Sequence, residues 1–204
     1  VADQGAARPP KPTVKCPWPE AKKQRRLDEI ATLVETAAPD EVVVYEDDIH
    51  LNPKIGADWM LRGQQKEVPT PEKNEKRYLA GAQDVRTKEL ICVEGERKTS
   101  YLFLLLLWEL VMRHPTAKKI HVILDNYGIP TSRLVQSSLQ TPQGRRLEFH
   151  FQSPYCPDHN KIERTWQDLH ANVSRNHKCS DMPELMKNVN HFIVERNRRN
   201  AAAI

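Results

Sequence analysis

Apolar positions along the chain change period several times, and each change marks an element. From Glu20 to Thr36, Leu27, Ile30, Ala31, Leu33 and Val34 recur at helical spacing behind the basic run Lys22-Lys23-Gln24-Arg25-Arg26. This predicts one amphipathic helix, stopped near Pro39. Residues 41–47 (EVVVYED) form a β-branched run that reads as a buried strand ending in acids. Residues 78–85 and 89–94 are further strand candidates, separated by an Arg86-Thr87-Lys88 turn. Thr99 or Ser100 caps a strongly apolar helix running to about Arg113, where His114-Pro115 ends it. Its run from Phe103 to Val111 leaves almost no polar face, so this helix is expected to lie flat on the sheet as the best-buried helix of the domain. Residues 119–124 (KIHVIL) are a second buried strand followed by an acid, Asp125. Residues 132–139 read as a short helix, 147–151 as a strand, and 160–176 and 182–196 as two closing helices. Strands first, then helices alternating with strands, point to an α/β fold: a mixed sheet flanked by helices.

The chain has 204 residues, enough for one domain with an extension and a sizeable core. Five of its 15 prolines fall before residue 20, so residues 1–19 read as a Pro-rich linker and 20–204 as the folded domain. The four cysteines form no CxxC pair, which suits reduced thiols in a cytoplasmic protein. The longest apolar run, Tyr101 to Trp108, is far short of the ~20 residues that span a bilayer, so no membrane role is expected. A secretory leader is not expected either, and the start on Val1 reads as a fragment of a longer chain. A net charge of +4 and a pI near 8.9 are compatible with a polyanionic partner.

The informative residues are carboxylates where strands stop. Asp47 and Asp48 follow the first strand and Asp125 the later one. Open α/β sheets bind ligands beyond their strand ends. Carboxylates brought together there repel unless a cation separates them, and Mg²⁺, with its preference for hard oxygen ligands and phosphate oxygens, suits such a site. Acids after strands also serve as turn and cap residues, and Asp48 competes with Asp47 as first ligand. The third acid is Glu163. Asn160 three residues earlier fits a variant capping box, so capping and metal binding compete for that carboxylate.

Tyr45-Glu46-Asp47-Asp48 with Leu51-Asn52-Pro53-Lys54-Ile55-Gly56, Trp59 and Arg62-Gly63 resembles the catalytic domain of mariner-like transposases of bacterial insertion sequences. Leu124-Asp125-Asn126-Tyr127 resembles that family's second acidic motif. Pro157-x-x-Asn160-x-x-Glu163-x-x-Trp166 resembles the third, with 37 residues between Asp125 and Glu163. The resemblance covers roughly residues 20–195. It implies a ribonuclease-H-like fold whose triad Asp47, Asp125 and Glu163 is both catalytic and metal-binding, holding Mg²⁺ with Mn²⁺ as substitute, and Asp47 shared between two ions. It also implies cleavage at transposon ends by activated water, joining of the freed 3′-hydroxyl to target DNA, and pairing of two copies on double-stranded DNA. A cytoplasmic, nucleoid-associated location in a bacterium would follow. Three positions depart from the family's usual pattern: Asp48 stands for a glutamate, Pro130 near a customary histidine, and Lys161 for a proline.

Beside such a site the exposed cations Lys22, Lys23, Arg25, Arg26, Lys161 and Arg164 are natural phosphate contacts, as is the run Arg196 to Arg199. The rival readings are a DNA-binding remnant without chemistry and another ribonuclease-H-like nuclease, the latter disfavoured by the third motif. Cys156, His159, His170, His177 and Cys179 lack the spacing of a structural zinc site. His50 and His121 read as packing or supporting groups rather than bases, and Trp59 and Trp166 as core.

Overall fold

The structure, a computed structural model, describes residues 16–52, 67, 75–125, 128–154, 159–175 and 177–203. Most of the Pro-rich start, Pro53 to Gly56, Trp59, Arg62, Gly63, Asn126, Tyr127, Cys156 and Pro157 lie outside the described residues.

A helix α1 (Glu20–Thr36) leads into strand β1 (Glu41–Leu51). The antiparallel strands β2 (Arg77–Asp84) and β3 (Leu90–Gly95) follow, then helix α2 (Ser100–Arg113) and strand β4 (Lys119–Leu124). A short helix α3 (Arg133–Ser138) precedes strand β5 (Leu147–Phe151), and helices α4 (Ile162–Leu169) and α5 (Met182–Ala201) close the chain. The five strands form one sheet in the order β3-β2-β1-β4-β5, with β1 antiparallel to β2 and parallel to β4. This is the mixed, helix-flanked sheet of the ribonuclease-H-like architecture.

Strand pleating divides the core in two. On one face Val44, Ala80, Ala82, Ile120, Val122 and Leu124 meet Leu102, Phe103, Leu106, Leu107 and Leu110 of α2. On the other, Val43, Tyr45, Leu79 and Ile123 meet Ile30 of α1, Ile162, Trp166 and Leu169 of α4, and the Leu185, Val189 and Ile193 stripe of α5. Edge strand β3 is tied to α5 by Asn197, whose amide accepts from Leu90 N (2.8 Å) and donates to Leu90 O (2.9 Å).

Three expectations need correction. The first strand does not end at its acids: β1 continues to Leu51, because β2 keeps pairing it out to Leu51 opposite Arg77, whereas its ladder with β4 ends at Tyr45 opposite Ile123. The acids therefore sit on a strand that has lost one neighbour, with their backbone still fixed by the other. The apolar helix α2 packs on the sheet, but its apolar run is not buried throughout. Tyr101, Trp108 and Met112 are more than half exposed, since a helix on one face of a sheet can bury only the side turned to it. The helix expected over 160–176 begins at Ile162 and ends as α-helix at Leu169, with a π-helical turn over His170–Ser174.

The α2 geometry separates two adjacent leucines. Leu106 is wholly buried while Leu105 is only partly so. Leu106→Ala should cost ~2–5 kcal/mol by urea denaturation, and Leu105→Ala less than ~1.5 kcal/mol. Equal losses would contradict the orientation of α2.

Candidate active site

Three elements bring the acids together. Asp47 lies on β1 opposite Gly81 of β2. Extending the β1–β4 register two residues past Tyr45 and Ile123 sets Asp47 level with Asp125. Alternation puts Asp47 on the face of Tyr45, the side that α4 covers, and Asp125 is the first residue past the end of β4. Asp48 and Glu46 fall on the α2 side. There Lys98, just before the N-cap Thr99, pairs with Asp48 at 2.6 Å. A cleft at the strand ends is lined by Glu46, Asp47, Asp48, Lys98, Asp125, Ile129 and Pro130.

Glu163 arrives from the first turn of α4, and two contacts hold that turn. Asn160 is buried, and its side-chain amide donates to the Glu46 carbonyl at 3.1 Å. The expected capping box is therefore absent: α4 has Lys161 at its N-cap and no side-chain cap, because Asn160 is spent on β1. One turn on from Glu163, Trp166 packs so tightly on Gly81 that a Cβ there would lie 2.5 Å from the indole. Lys161 has φ −62°, the value a proline would fix, so this departure from the family pattern leaves the helix start in place.

The acids repel one another. Burial, then the charges of Glu163, Asp48 and Asp125, push the Asp47 carboxyl up to about 7. Burial first and Asp125 next raise Glu163. Burial also raises Asp125, with Asp48 adding to it and Lys98 opposing. Asp47, Asp125 and Glu163 are thus within Coulombic reach of one another, with Asp47 bearing the greatest strain. Glu46 is fully buried and held well above the carboxylate range by burial, then by Asp48 and Asp47. The three carboxylates do not form a single-ion cage; among the described residues the set with ligand atoms within 4.8 Å is His121, Glu148 and His150.

The expected DNA contacts divide. Lys161 and Arg164 are exposed on either side of Glu163. On α1, Lys22 and Arg25 are exposed, with the Lys22 ammonium 4.2 Å above the Trp18 ring. Lys23 pairs with Glu20 at 3.5 Å. Arg26 fastens α1 to the end of β5, donating to Phe151 O at 2.6 Å and to Glu29 at 2.8 Å. Arg196 donates to Thr165 Oγ1 at 2.8 Å, so it braces α4. Of the described histidines and cysteines set aside as zinc ligands, His170 Nδ1 meets Ser174 Oγ at 2.5 Å and His177 accepts from the Cys179 amide at 3.2 Å. Sequence reasoning missed Lys98, Glu46 and Gly81. Only Gly81 carried a signal, an isolated glycine inside a strand, which often marks close approach of another group.

Residues 42–186 match the family model described as DDE superfamily endonuclease. The chain belongs to that family. This DDE endonuclease chain is also 47% identical over 174 residues to the insertion element IS630 uncharacterized 39 kDa protein of Shigella sonnei. That match covers 84% of the chain and 50% of the relative, so the chain spans about half the length of that relative. Its fold resembles the Mos1 mariner paired-end complex with Mn, at TM-score 0.64 and 16% identity over 98% of this chain and 64% of that one. It also resembles the mariner Mos1 paired-end complex with Mg, at TM-score 0.57 and 16% identity over 98% and 67%. Among the described residues no helix is long and apolar enough to cross a membrane.

Two outcomes follow for the DDE endonuclease chain. Asp47 binds its proton more tightly folded than unfolded (about 7 against 3.8), so its ionisation destabilises the fold above pH 7, and that loss is recovered as pH falls from about 7 towards 4. Without divalent ions, Asp47→Asn should therefore stabilise the chain by roughly 2–4 kcal/mol at pH 8 and by little at pH 4.5, measured by urea unfolding. A gain that grew on acidification would contradict the site's electrostatics. Gly81→Ala should cost ~1–3 kcal/mol by displacing Trp166, whereas a neutral change would show that α4 is not seated there.

Proposed function

We propose that residues 20–204 form the catalytic domain of a DNA transposase, with 1–19 as a linker. It cleaves phosphodiesters at transposon ends and joins the 3′-hydroxyl to target DNA. What supports this reading is that Asp47 on β1, Asp125 just after β4 and Glu163 on α4 feel one another's charge, in a chain that matches the DDE endonuclease family. The donor set is all carboxylate, which suits a hard divalent cation, Mg²⁺ with Mn²⁺ as substitute. Asp47 would be shared between two ions, with Asp125 and Glu163 each holding one. Their spread beyond a single-ion cage accords with a pair of ions in a row. When bound, such ions activate the attacking water or hydroxyl and stabilise the leaving oxygen.

The chain's own residues do the rest. Lys98 neutralises Asp48 at 2.6 Å, which directs the first-strand ligand role to Asp47. Glu46, next to Asp47 on β1, offers its backbone carbonyl to Asn160, so the strand bearing the ligand and the helix bearing Glu163 are tied together. Lys161 and Arg164 flank Glu163 and hold phosphates on either side of the reacting one; Lys22 and Arg25 extend that basic surface on α1. Pro130 has no proton to give or take, so proton transfer falls to solvent and to the acidic residues. The similarity to an insertion-element protein supports transposon ends as the substrate, and pairing of two such ends supports a dimer assembled on DNA in the bacterial cytoplasm.

Glu163→Gln keeps the side chain's volume and removes its charge. Nicking of supercoiled DNA in Mg²⁺ or Mn²⁺ should fall at least 100-fold, while unfolding stability changes by less than ~1 kcal/mol and DNA binding at low salt holds or tightens. Parent-level nicking by this variant would contradict the reading.

A further inference from the structure

A second cluster lies outside the acidic site. His121 on β4 is opposite Glu148 on β5, and His150 is opposite Ile123, so the pleat turns all three side chains to one side of the sheet. His121 Nδ1 lies 3.0 Å from His150 Nε2. Glu148 Oε2 is 3.9 Å from His121 Nδ1, and Glu148 Oε1 is 3.8 Å from His150 Nε2. Ligand atoms about a tetrahedral ion, at bonds of ~2.0–2.2 Å, stand roughly 3.3–3.5 Å apart, and these spacings bracket that value. His121 precedes Asp125 by four residues and His150 is level with Ile123, two residues before it, and no triad residue shares the cluster.

We propose that His121, His150 and Glu148 form a binding site for a Zn²⁺-class divalent transition ion, with water as its fourth ligand, clamping edge strand β5 to β4.

Glu41 supplies the orientation. Its Oε2 lies 3.5 Å from His121 Nε2, the ring nitrogen pointing away from the cluster. The carboxylate is at ion-pair rather than hydrogen-bond distance, and its negative charge favours the tautomer with the proton on Nε2 and the Nδ1 lone pair facing His150, the arrangement that supports metal-bound histidines. His121 is almost wholly buried, so its ring cannot turn away to water. Burial and the neighbouring His121 hold His150 below its ordinary pKa, with Arg26 and Lys119 adding to that and Glu148 opposing, which favours the neutral imidazole that a metal ion needs. The two facing ring nitrogens, 3.0 Å apart, are close enough for an N–H···N hydrogen bond or, with both lone pairs turned inward, for a shared metal ion. Half-exposed Glu148 provides the entry, although Lys119 holds one of its oxygens at 2.8 Å and must share it.

Cobalt(II) chloride titrated into the full chain at pH 7.5, under a large excess of Mg²⁺ that saturates the carboxylate site, tests this by visible absorption and equilibrium dialysis. One Co²⁺ per chain should bind, be displaced by Zn²⁺, and persist in Asp125→Asn. Affinity should drop at least 10-fold in Glu148→Gln and Glu41→Gln, and at least 100-fold in His150→Gln. Should His150→Gln fail to fold, Glu148→Gln at the exposed rim decides alone. Competition by Mg²⁺, loss in Asp125→Asn, or unchanged affinity in Glu148→Gln would each overturn the proposal, leaving the pair as a proton-sharing histidine contact.

Discussion

The closeness of Trp166 to Gly81 is the constraint on which the site depends. No other residue at position 81 leaves room for an indole lying 2.5 Å from a Cβ position. That contact sets the height of α4 over the sheet. Glu163 is one turn earlier on the same helix, and Asn160, at the helix entry, is bolted to the β1 backbone through Glu46. Asp47 faces Gly81 across the β1–β2 ladder. The glycine that admits the tryptophan is therefore the cross-strand partner of the acid that Glu163 must meet. One missing methyl group aligns packing with chemistry.

The electrostatics oppose the packing. Burial and mutual repulsion raise Asp47, Asp125 and Glu163 together, and a fold selected for stability alone would not gather them. The chain limits the strain in two ways. Burial and the neighbouring acids raise Glu46, disfavouring its charged form, and Lys98 pairs with Asp48. What remains is negative charge confined to three hard-oxygen donors, which a divalent cation relieves. Functional sites are where such local costs persist.

Much of the fold was legible in the amino-acid sequence, because hydrophobic period identifies elements with strong patterns. β4 and β5 fall where their apolar runs predict, and α1 ends just short of Pro39. The length of β1 was not legible: Asp47 and Asp48 look like a strand end, yet β2 pairs with their backbone whatever their side chains. The exposed stripe of α2 was equally hidden, since a continuous run of leucines carries no mark of which side meets the sheet. The triad is an expectation from motif resemblance, whereas Asn160 was misread because capping is local and its side chain's partner, Glu46, lies 114 positions away. The histidine pair escaped for the same reason. His121 and His150 belong to different strands, and only register brings them together.

The central claim is that the carboxylates of Asp47, Asp125 and Glu163 are one divalent-ion centre. Anomalous diffraction from crystals of the chain soaked in Mn²⁺ locates the ion directly. The account expects manganese peaks bounded by those three carboxylates, with Asp48 still paired to Lys98. Manganese bound through Asp48 after release of Lys98, or no peak between Asp47 and Asp125, would contradict it.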